Sequence, residues 1–363
     1  MKRLPQLDGV RGVAILLVLV WHYVRSGATP DPHTAQWLVL SLLNLAWSGV
    51  DLFFVLSGFL IAGILIDNRD AANYFRVFYW HRVCRILPLY CAMLGIFVLI
   101  TAVHAFPAAP FRWLFRDPLP LWSYATFTQN ILMGMQGNYG AGWLGVTWSL
   151  AIEEQFYLVI PLLIFLFPRA VVLSLLAVIM ALAVLLRLEW PGFQSAVSTL
   201  WRADSLATGC VLAYLVRHPG FVALVERKKM LVGVIFAELF AGVLVMTFRR
   251  PAFEPFDHSW LAVFYASLIL VAVVYADGTL SRVLRWRVLV WFGAVSYGIY
   301  MIHIPVYGML HAAFDGSATL PAVAVTVLAF VTTLVVAAVS HRFLERPIIA
   351  LGHRVRFAVP AAR

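Results

Sequence analysis

An arginine and a histidine on one apolar stretch near the N-terminus are the first candidates for chemistry. Arg11 and His22 lie eleven positions apart. At about 100° per residue this spacing makes three helical turns plus roughly 20°, so both side chains are predicted on one face, roughly 16 Å apart along the axis. A cation and an imidazole on one stripe would be energetically costly if they faced lipid, so they favour a helix that lines a pore. Asp8, one turn before Arg11, is the predicted partner of that cation, although a purely structural ion pair at the inner interface is the alternative.

A second candidate is an arginine pair before the third apolar segment. Arg82 and Arg85 are three positions apart, so both project from one face of a helix. Guanidinium groups bind phosphate oxygens with two parallel hydrogen bonds, so the pair suits a phosphate-bearing cytosolic ligand. Simple anchoring of the chain at the inner face is the alternative interpretation.

Two adjacent carboxyl groups interrupt another apolar segment, at Glu153 and Glu154. Carboxylates within hydrocarbon are costly, so exposure of this pair to lipid is not expected. If the chain begins in the cytoplasm, Glu153 and His22 lie at similar depth, and a carboxylate beside the imidazole would stabilise its protonated form, as a general base requires. A histidine bonded to a backbone carbonyl is the alternative for His22.

A looser set of polar residues occupies other apolar segments. Asp51 is followed by Ser57 and Gly58, for which close helix packing is the stronger explanation. Arg202 and Asp204 are predicted to form a structural pair at the outer face. The predicted supporting residues are Asp8, Asp51, Glu154, Trp148, Ser149 and His303, the last with a structural role preferred.

Composition identifies the elements that must position these groups. The chain of 363 residues is 63% hydrophobic and 12% charged, with a mean hydropathy of +0.88, whereas soluble domains carry about 25% charged residues. Long apolar runs satisfy their backbone in lipid as helices. The net charge of +10 is explained by lysine and arginine in cytoplasmic loops, so nucleic acid is not an expected partner. The three cysteines lack metal-type spacing, and no metal is expected.

The predicted fold is therefore all-α, a polytopic transmembrane bundle of about ten helices in one domain covering 1–363. With the N-terminus placed in the cytoplasm, most of the 27 Lys and Arg residues fall on the inside, which predicts that both termini are cytoplasmic. The first segment is interpreted as an uncleaved helix, no appended soluble domain is expected, and the longest connection, 105–145, is predicted outside. The predicted segments are 9–27, 46–66, 86–104, 146–167, 170–188, 204–216, 230–248, 259–276, 288–312 and 321–341, of which the sixth is short for a span.

A series of short motifs resembles the acyltransferase-3 family of integral membrane proteins, which O-acylate bacterial glycans. The motifs follow the family's order across nearly the whole chain. They are LDGVRG (7–12) with Arg-x10-His, GVDLFFVLSGFLI (49–61), Arg-x-x-Arg (Arg82, Arg85), WSLAIEEQFYL (148–158), WRADSLATG (201–209), SYGIYMIHIPV (296–306) and FLERP (343–347).

This resemblance implies an acyl-CoA donor, usually acetyl-CoA, that acts as a substrate and not as a bound cofactor. The implied acceptor is a hydroxyl of an extracytoplasmic or lipid-linked polysaccharide, such as an exopolysaccharide or O-antigen, in a bacterial inner membrane, with polysaccharide-assembly proteins as further partners. The chain resembles the stand-alone form of the family. By this resemblance His22 and Glu153 are catalytic, and Arg11, Arg82 and Arg85 hold the donor. Direct transfer and an acyl-histidine intermediate both remain open, and a transporter without covalent chemistry is the alternative function.

Overall fold

The computed structural model describes residues 4–25, 35–103, 109–249, 253–314 and 321–358. All regular secondary structure within these ranges is helical, so the predicted all-α class is confirmed. The chain divides into two compact units, each described here by itself. The first unit contains Met1–Asp67 and Ile152–Ala294, and the second contains Asn68–Ala151 and Val295–Arg363.

The α-helices follow one another along the whole described chain. They are α1 (Pro5–Val20), α2 (Ala35–Leu42), α3 (Gly49–Asp67), α4 (Tyr74–Ala102), α5 (Arg112–Phe115), α6 (Leu121–Ala125), α7 (Gln129–Gln136), α8 (Thr147–Leu166), α9 (Arg169–Glu189), α10 (Phe193–Val197), α11 (Thr199–Leu215), α12 (Pro219–Arg227), α13 (Lys229–Arg249), α14 (Asp257–Val274), α15 (Thr279–Leu284), α16 (Arg287–Ala313), α17 (Ala322–Ser340) and α18 (Arg346–Gly352).

Nine helical stretches within the described ranges are long and apolar enough to cross a bilayer. They are Pro5–Arg25, Gln36–Asp67, Tyr74–Ala102, Thr147–Leu166, Arg169–Glu189, Lys229–Phe248, Asp257–Val274, Arg287–Ala313 and Ala322–Gly352. A tenth candidate is the pair Phe193–Leu215 and Pro219–Arg227, which is bent by 93° at its break. The short sixth predicted segment, 204–216, falls almost entirely within this pair, in α11.

Several helices depart from the regular α-helices that the sequence predicts. The first continues past Val20 as a π-helical turn, Trp21–Arg25, and the last membrane helix continues as a second one, His341–Glu345. The second predicted segment begins ten residues earlier, because α2 and the 3₁₀ turn Leu43–Ser48 precede α3 without a break. The predicted outer connection, 105–145, contains the short helices α5, α6 and α7, and its residues 105–108 lie outside the described ranges.

Glycines allow the backbones of two helices in the first unit to touch. A Cβ added at Gly58 of α3 would lie 2.1 Å from the Leu206 carbonyl oxygen of α11, and one added at Gly209 would lie 2.1 Å from the Val55 carbonyl oxygen. The two helices therefore accept no side chain between them at these points. This reciprocal contact agrees with the packing interpretation of Gly58 and brings Asp51 and Arg202 within reach of each other.

We expect Gly58→Ala to destabilise the protein by about 1–3 kcal/mol, because the new methyl group overpacks two rigid backbones. Gly95→Ala is the matched control, since no described atom lies within 4 Å of a Cβ at that exposed helical position. Alanine has the higher helix propensity, so the control should be neutral or slightly stabilising. Thermal unfolding in detergent, followed by tryptophan fluorescence, measures both. Equal melting temperatures for the two variants would contradict the packing argument.

The second unit holds the arginine pair on a helix that is braced by the C-terminal segment. The chain after α18 runs back along the start of α4: the His81 ring is hydrogen-bonded to the Val355 carbonyl oxygen at 2.8 Å, and the Asn73 amide donates to the Arg356 carbonyl oxygen at 2.9 Å. The Ala358 amide returns a hydrogen bond to Asn73 at 2.7 Å. These contacts fix the first turns of α4, from which Arg82 and Arg85 project.

Candidate active site

His22 lies in the π-helical turn that ends the first helix of the first unit. Its Nδ1 atom is 2.9 Å from the Val18 carbonyl oxygen of its own helix. A carbonyl oxygen only accepts, so Nδ1 carries the hydrogen and, in the neutral ring, Nε2 carries the lone pair. The structure therefore contains the hydrogen bond to a backbone carbonyl that was the alternative interpretation of His22. This hydrogen bond also fixes the tautomer of the ring, in which Nε2 can accept a proton.

Arg11 and Asp8 interact on the N-terminal part of the same helix. The guanidinium Nη1 is 3.5 Å from Oδ1 of Asp8, and both side chains are mostly buried. The prediction of one shared face for Arg11 and His22 assumed an uninterrupted α-helix, whereas the last steps to His22 pass through the π-helical turn. Single-turn π segments occur frequently at functional sites, because they re-aim one side chain without breaking the helix.

Both oxygens of the Glu153 carboxylate accept hydrogen bonds within the first unit. The Ser57 hydroxyl donates to Oε1 at 2.8 Å, and the Tyr157 hydroxyl donates to Oε2 at 2.9 Å. The carboxylate is thus oriented by one residue of α3 and one of its own helix. Close helix packing is the stronger explanation for Ser57 from the sequence, and the structure adds a specific acceptor for its hydroxyl. The direct pairing of Glu153 with His22 stays a prediction, and so does the supporting role of the half-buried Glu154.

Asp51 is fully buried and is the acceptor of a charged network in the first unit. Its Oδ1 accepts from Arg202 Nη2 at 2.8 Å and lies 3.2 Å from His258 Nδ1. Arg202 Nη1 lies 3.3 Å from His258 Nε2. Since a guanidinium only donates, Nε2 is the acceptor in this contact, and Nδ1 is the ring nitrogen that donates to Asp51. The network joins α3, α11 and α14 through one carboxylate.

A second buried ion pair adjoins the first. Arg187 of α9 donates to Asp204 Oδ2 at 2.7 Å, and both side chains are 2% exposed. The Ser259 hydroxyl donates to the same oxygen at 2.6 Å. The predicted pairing of Arg202 with Asp204 is therefore wrong: residues two positions apart on a helix point about 200° away from each other, so each finds a partner on a different helix.

The arginine pair of the second unit has one aromatic and one acidic neighbour. The Arg82 guanidinium carbon lies 6.0 Å from the centre of the Phe78 ring, one turn earlier on α4. Arg85 interacts electrostatically with Glu345, whose carboxylate accepts from the Ser340 hydroxyl at 3.0 Å. Outside the membrane helices, burial lowers the pKa of His353, and the nearby guanidinium charges of Arg82 and Arg85 lower it further. This part of the second unit is strongly cationic.

The remaining predicted residues, Trp148, Ser149 and His303, also belong to the second unit. The hydroxyl oxygens of Ser149 and Tyr300 are 2.5 Å apart and lie 3.3 and 3.1 Å from the Val146 carbonyl oxygen, so one hydroxyl donates to the carbonyl oxygen and the other to its partner hydroxyl. His303 is completely buried, and its Nδ1 lies 2.7 Å from the Tyr300 carbonyl oxygen of its own helix. Trp148 is half-buried. Ser149 and His303 thus make hydrogen bonds to carbonyl oxygens of nearby residues in the chain, and their supporting roles stay predictions.

The residues that sequence reasoning missed are those that complete these contacts. They are Arg187, His258, Ser259, Tyr157 and Tyr300. The sequence offers one signal for part of this set, since Asp257, His258 and Ser259 form a polar run at the start of an apolar helix. Within the described ranges, no group of three or more His, Cys, Asp or Glu residues is arranged to hold a metal ion.

Comparison with known proteins identifies the family. Residues 4–342 match the acyltransferase-3 family model, described as an acyltransferase domain. The chain is 28% identical over 372 residues to the peptidoglycan O-acetyltransferase of Listeria monocytogenes, covering 96% of this chain and 56% of the relative. It is also 28% identical over 380 residues to an O-acetyltransferase of Staphylococcus aureus, covering 99% and 59%.

These relatives are longer than the chain, which spans less than two thirds of their length. No solved structure matches it. The family match covers every candidate catalytic and donor-binding residue discussed above. It favours the enzyme over the transporter alternative, and the chain belongs to the acyltransferase-3 family.

Proposed function

We propose that the protein is a membrane O-acetyltransferase that moves an acetyl group from acetyl-CoA to a hydroxyl of a cell-envelope glycan. The observation that carries this proposal is the family match over residues 4–342. The tautomer of His22 supports it independently, because a fixed Nδ1 hydrogen leaves Nε2 as the proton acceptor. The proposed setting is a bacterial inner membrane with both termini in the cytoplasm.

The proposed chemistry is one acyl transfer with a single proton moved. Nε2 of His22 accepts the proton of the sugar hydroxyl while the oxygen attacks the thioester carbonyl. The new ester bond forms, the carbon–sulfur bond breaks, and the imidazolium returns its proton to the departing thiolate. A variant of this route first places the acetyl group on Nε2 of the histidine and then passes it to the sugar. The Glu153 carboxylate, held by Ser57 and Tyr157, is the proposed support of the positive imidazolium.

The acceptor is proposed by class. The Listeria monocytogenes relative is named a peptidoglycan O-acetyltransferase, so peptidoglycan is the first glycan to test. Exopolysaccharide, O-antigen and lipid-linked precursors follow. Proteins that assemble the same polysaccharide are the proposed partners.

The direct test is acetate analysis of purified envelope glycans from cells with and without the gene. We expect ester-linked acetyl groups, seen by NMR and released by mild alkali, only when the protein is produced. Labelled acetyl-CoA supplied to proteoliposomes with a glycan acceptor should transfer its acetyl group. Insertion of the protein without any labelled glycan in either assay would reject the proposal.

A further prediction concerns the donor. We expect Arg82→Ala to raise the KM for acetyl-CoA about tenfold or more, because a charge-assisted contact to phosphate is lost, with a smaller change in kcat. Arg76→Ala is the matched control, since Arg76 is an exposed arginine six residues earlier on the same helix. An unchanged affinity of the purified Arg82 variant for acetyl-CoA would remove this arginine from the donor site.

A further inference from the structure

The last membrane helix of the second unit presents an unbroken apolar stripe on its exposed face. Every fourth residue along it is apolar and at least half exposed. The stripe consists of Val323, Val327, Val331, Val335, Val339 and Phe343. Residues four apart are neighbours on a helix, and because each step of four advances about 400°, the apolar stripe turns by about 40° per step and winds round the helix as a continuous apolar ridge.

This apolar stripe ends beside a depression lined by two arginines. The depression has a volume of about 380 Å³ and is lined by Arg342, Arg346, Pro347 and Ala350. Both arginines are exposed, and neither has a hydrogen-bond or ion-pair partner among the described residues. Glu345 is the only carboxylate in residues 321–363; it is buried and accepts a hydrogen bond from Ser340.

Helix geometry places the arginines at the end of the apolar stripe. Phe343, the last residue of the apolar stripe, directly follows Arg342 within the π-helical turn His341–Glu345, and Arg346 directly follows that turn. From Val331 to Phe343 the apolar stripe extends roughly 18 Å at 1.5 Å per residue. Half of a bilayer's hydrocarbon core is about 15 Å thick. One leaflet's acyl chain therefore fits along the apolar stripe with its headgroup at the arginines.

We propose that this depression binds the phosphate of an anionic phospholipid whose acyl chain lies along the apolar stripe. Guanidinium groups bind phosphate oxygens bidentately. Two adjacent cations without a neutralising carboxylate favour a headgroup such as phosphatidylglycerol over one that carries its own ammonium group. None of the residues that line this depression is assigned to acetyl transfer, so the lipid site can be tested independently of the proposed function.

The test measures lipid retention by the full-length protein in detergent micelles. Native mass spectrometry follows binding of phosphatidylglycerol and, separately, phosphatidylcholine. We expect wild type to retain phosphatidylglycerol in preference, and Arg342→Gln/Arg346→Gln to weaken that retention by about fivefold per arginine. Arg354→Gln is the matched control, because Arg354 is an exposed arginine of the same C-terminal segment that does not line the depression.

Three results would overturn the proposal. The first is equal retention of the two lipids by wild type, and the second is equal loss in the double variant and in Arg354→Gln. The third comes from adding coenzyme A or inorganic phosphate. If the double variant loses affinity for these soluble phosphates while its lipid retention is unchanged, the depression binds a soluble phosphate ligand instead. Because retention is measured without acetyl transfer, an inactive enzyme would not affect the outcome.

Discussion

His22→Ala is expected to lower acetyl transfer by at least 100-fold while the protein still inserts into the membrane. General bases contribute typically 10²–10⁴-fold to a rate, and removal of the imidazole leaves no group at that position to take the hydroxyl proton. Initial rates of labelled acetate transfer in proteoliposomes measure the loss. His311→Ala is the matched control, since His311 bonds to the Thr326 hydroxyl and has no proposed role in transfer.

A second substitution separates catalysis from structure at the same position. In His22→Asn the side-chain amide can still donate to the Val18 carbonyl oxygen, as Nδ1 of the histidine does, but no atom replaces Nε2. We therefore expect His22→Asn to melt near the wild-type temperature and to be as inactive as the alanine variant. Activity near wild type in the asparagine variant would show that residue 22 serves only to bond the Val18 carbonyl oxygen, and the catalytic assignment would be wrong.

The helical fold was predictable because an apolar run of this length can satisfy its backbone hydrogen bonds in lipid only as a helix. The positions of most helices follow from hydropathy alone, as α9 (Arg169–Glu189) shows beside the predicted 170–188. The π-helical turn at Trp21–Arg25 was not predictable, because it exchanges the hydrogen-bond pattern of an α-helix for that of a π-helix, and no residue type in this stretch marks the change. The same limit applies to α2, which joins α3 through the 3₁₀ turn Leu43–Ser48, and the six residues of this turn include no proline or glycine.

The candidate residues were also recognised more easily than their partners. A buried carboxylate such as Asp51 or Glu153 is conspicuous in an apolar segment, since it must be paired or hydrogen-bonded. Which residue satisfies it depends on tertiary packing. Asp51 is paired with a residue 151 positions away, and Ser57 reaches Glu153 over 96 positions. Sequence spacing constrains only contacts within one helix: it correctly paired Asp8 with Arg11, three positions apart, and wrongly paired Arg202 with Asp204, two positions apart.

Arg202→Met is expected to destabilise the protein by about 3–5 kcal/mol, because it leaves the carboxylate of Asp51 buried without its cation. Asp51 is completely buried and Arg202 is 4% exposed, so water cannot replace the lost contact. Thermal unfolding of the purified protein in detergent measures the effect. The matched control is Arg116→Met, which breaks an ion pair of similar length, 2.9 Å, whose side chains are 69% and 68% exposed. That change should cost less than about 1 kcal/mol.

The double variant Asp51→Asn/Arg202→Met removes both charges and should recover much of the stability lost in Arg202→Met, since replacing a whole buried pair is far less costly than breaking it. Its activity then tests what Asp51 does beyond holding the helices. A folded and active double variant would restrict Asp51 to positioning α3 and α11. A folded but inactive one would mean that the charges themselves serve the reaction. If Arg202→Met instead melted at the same temperature as Arg116→Met, the buried pair would contribute no more to stability than a surface contact, and the network could not be what orders this part of the first unit.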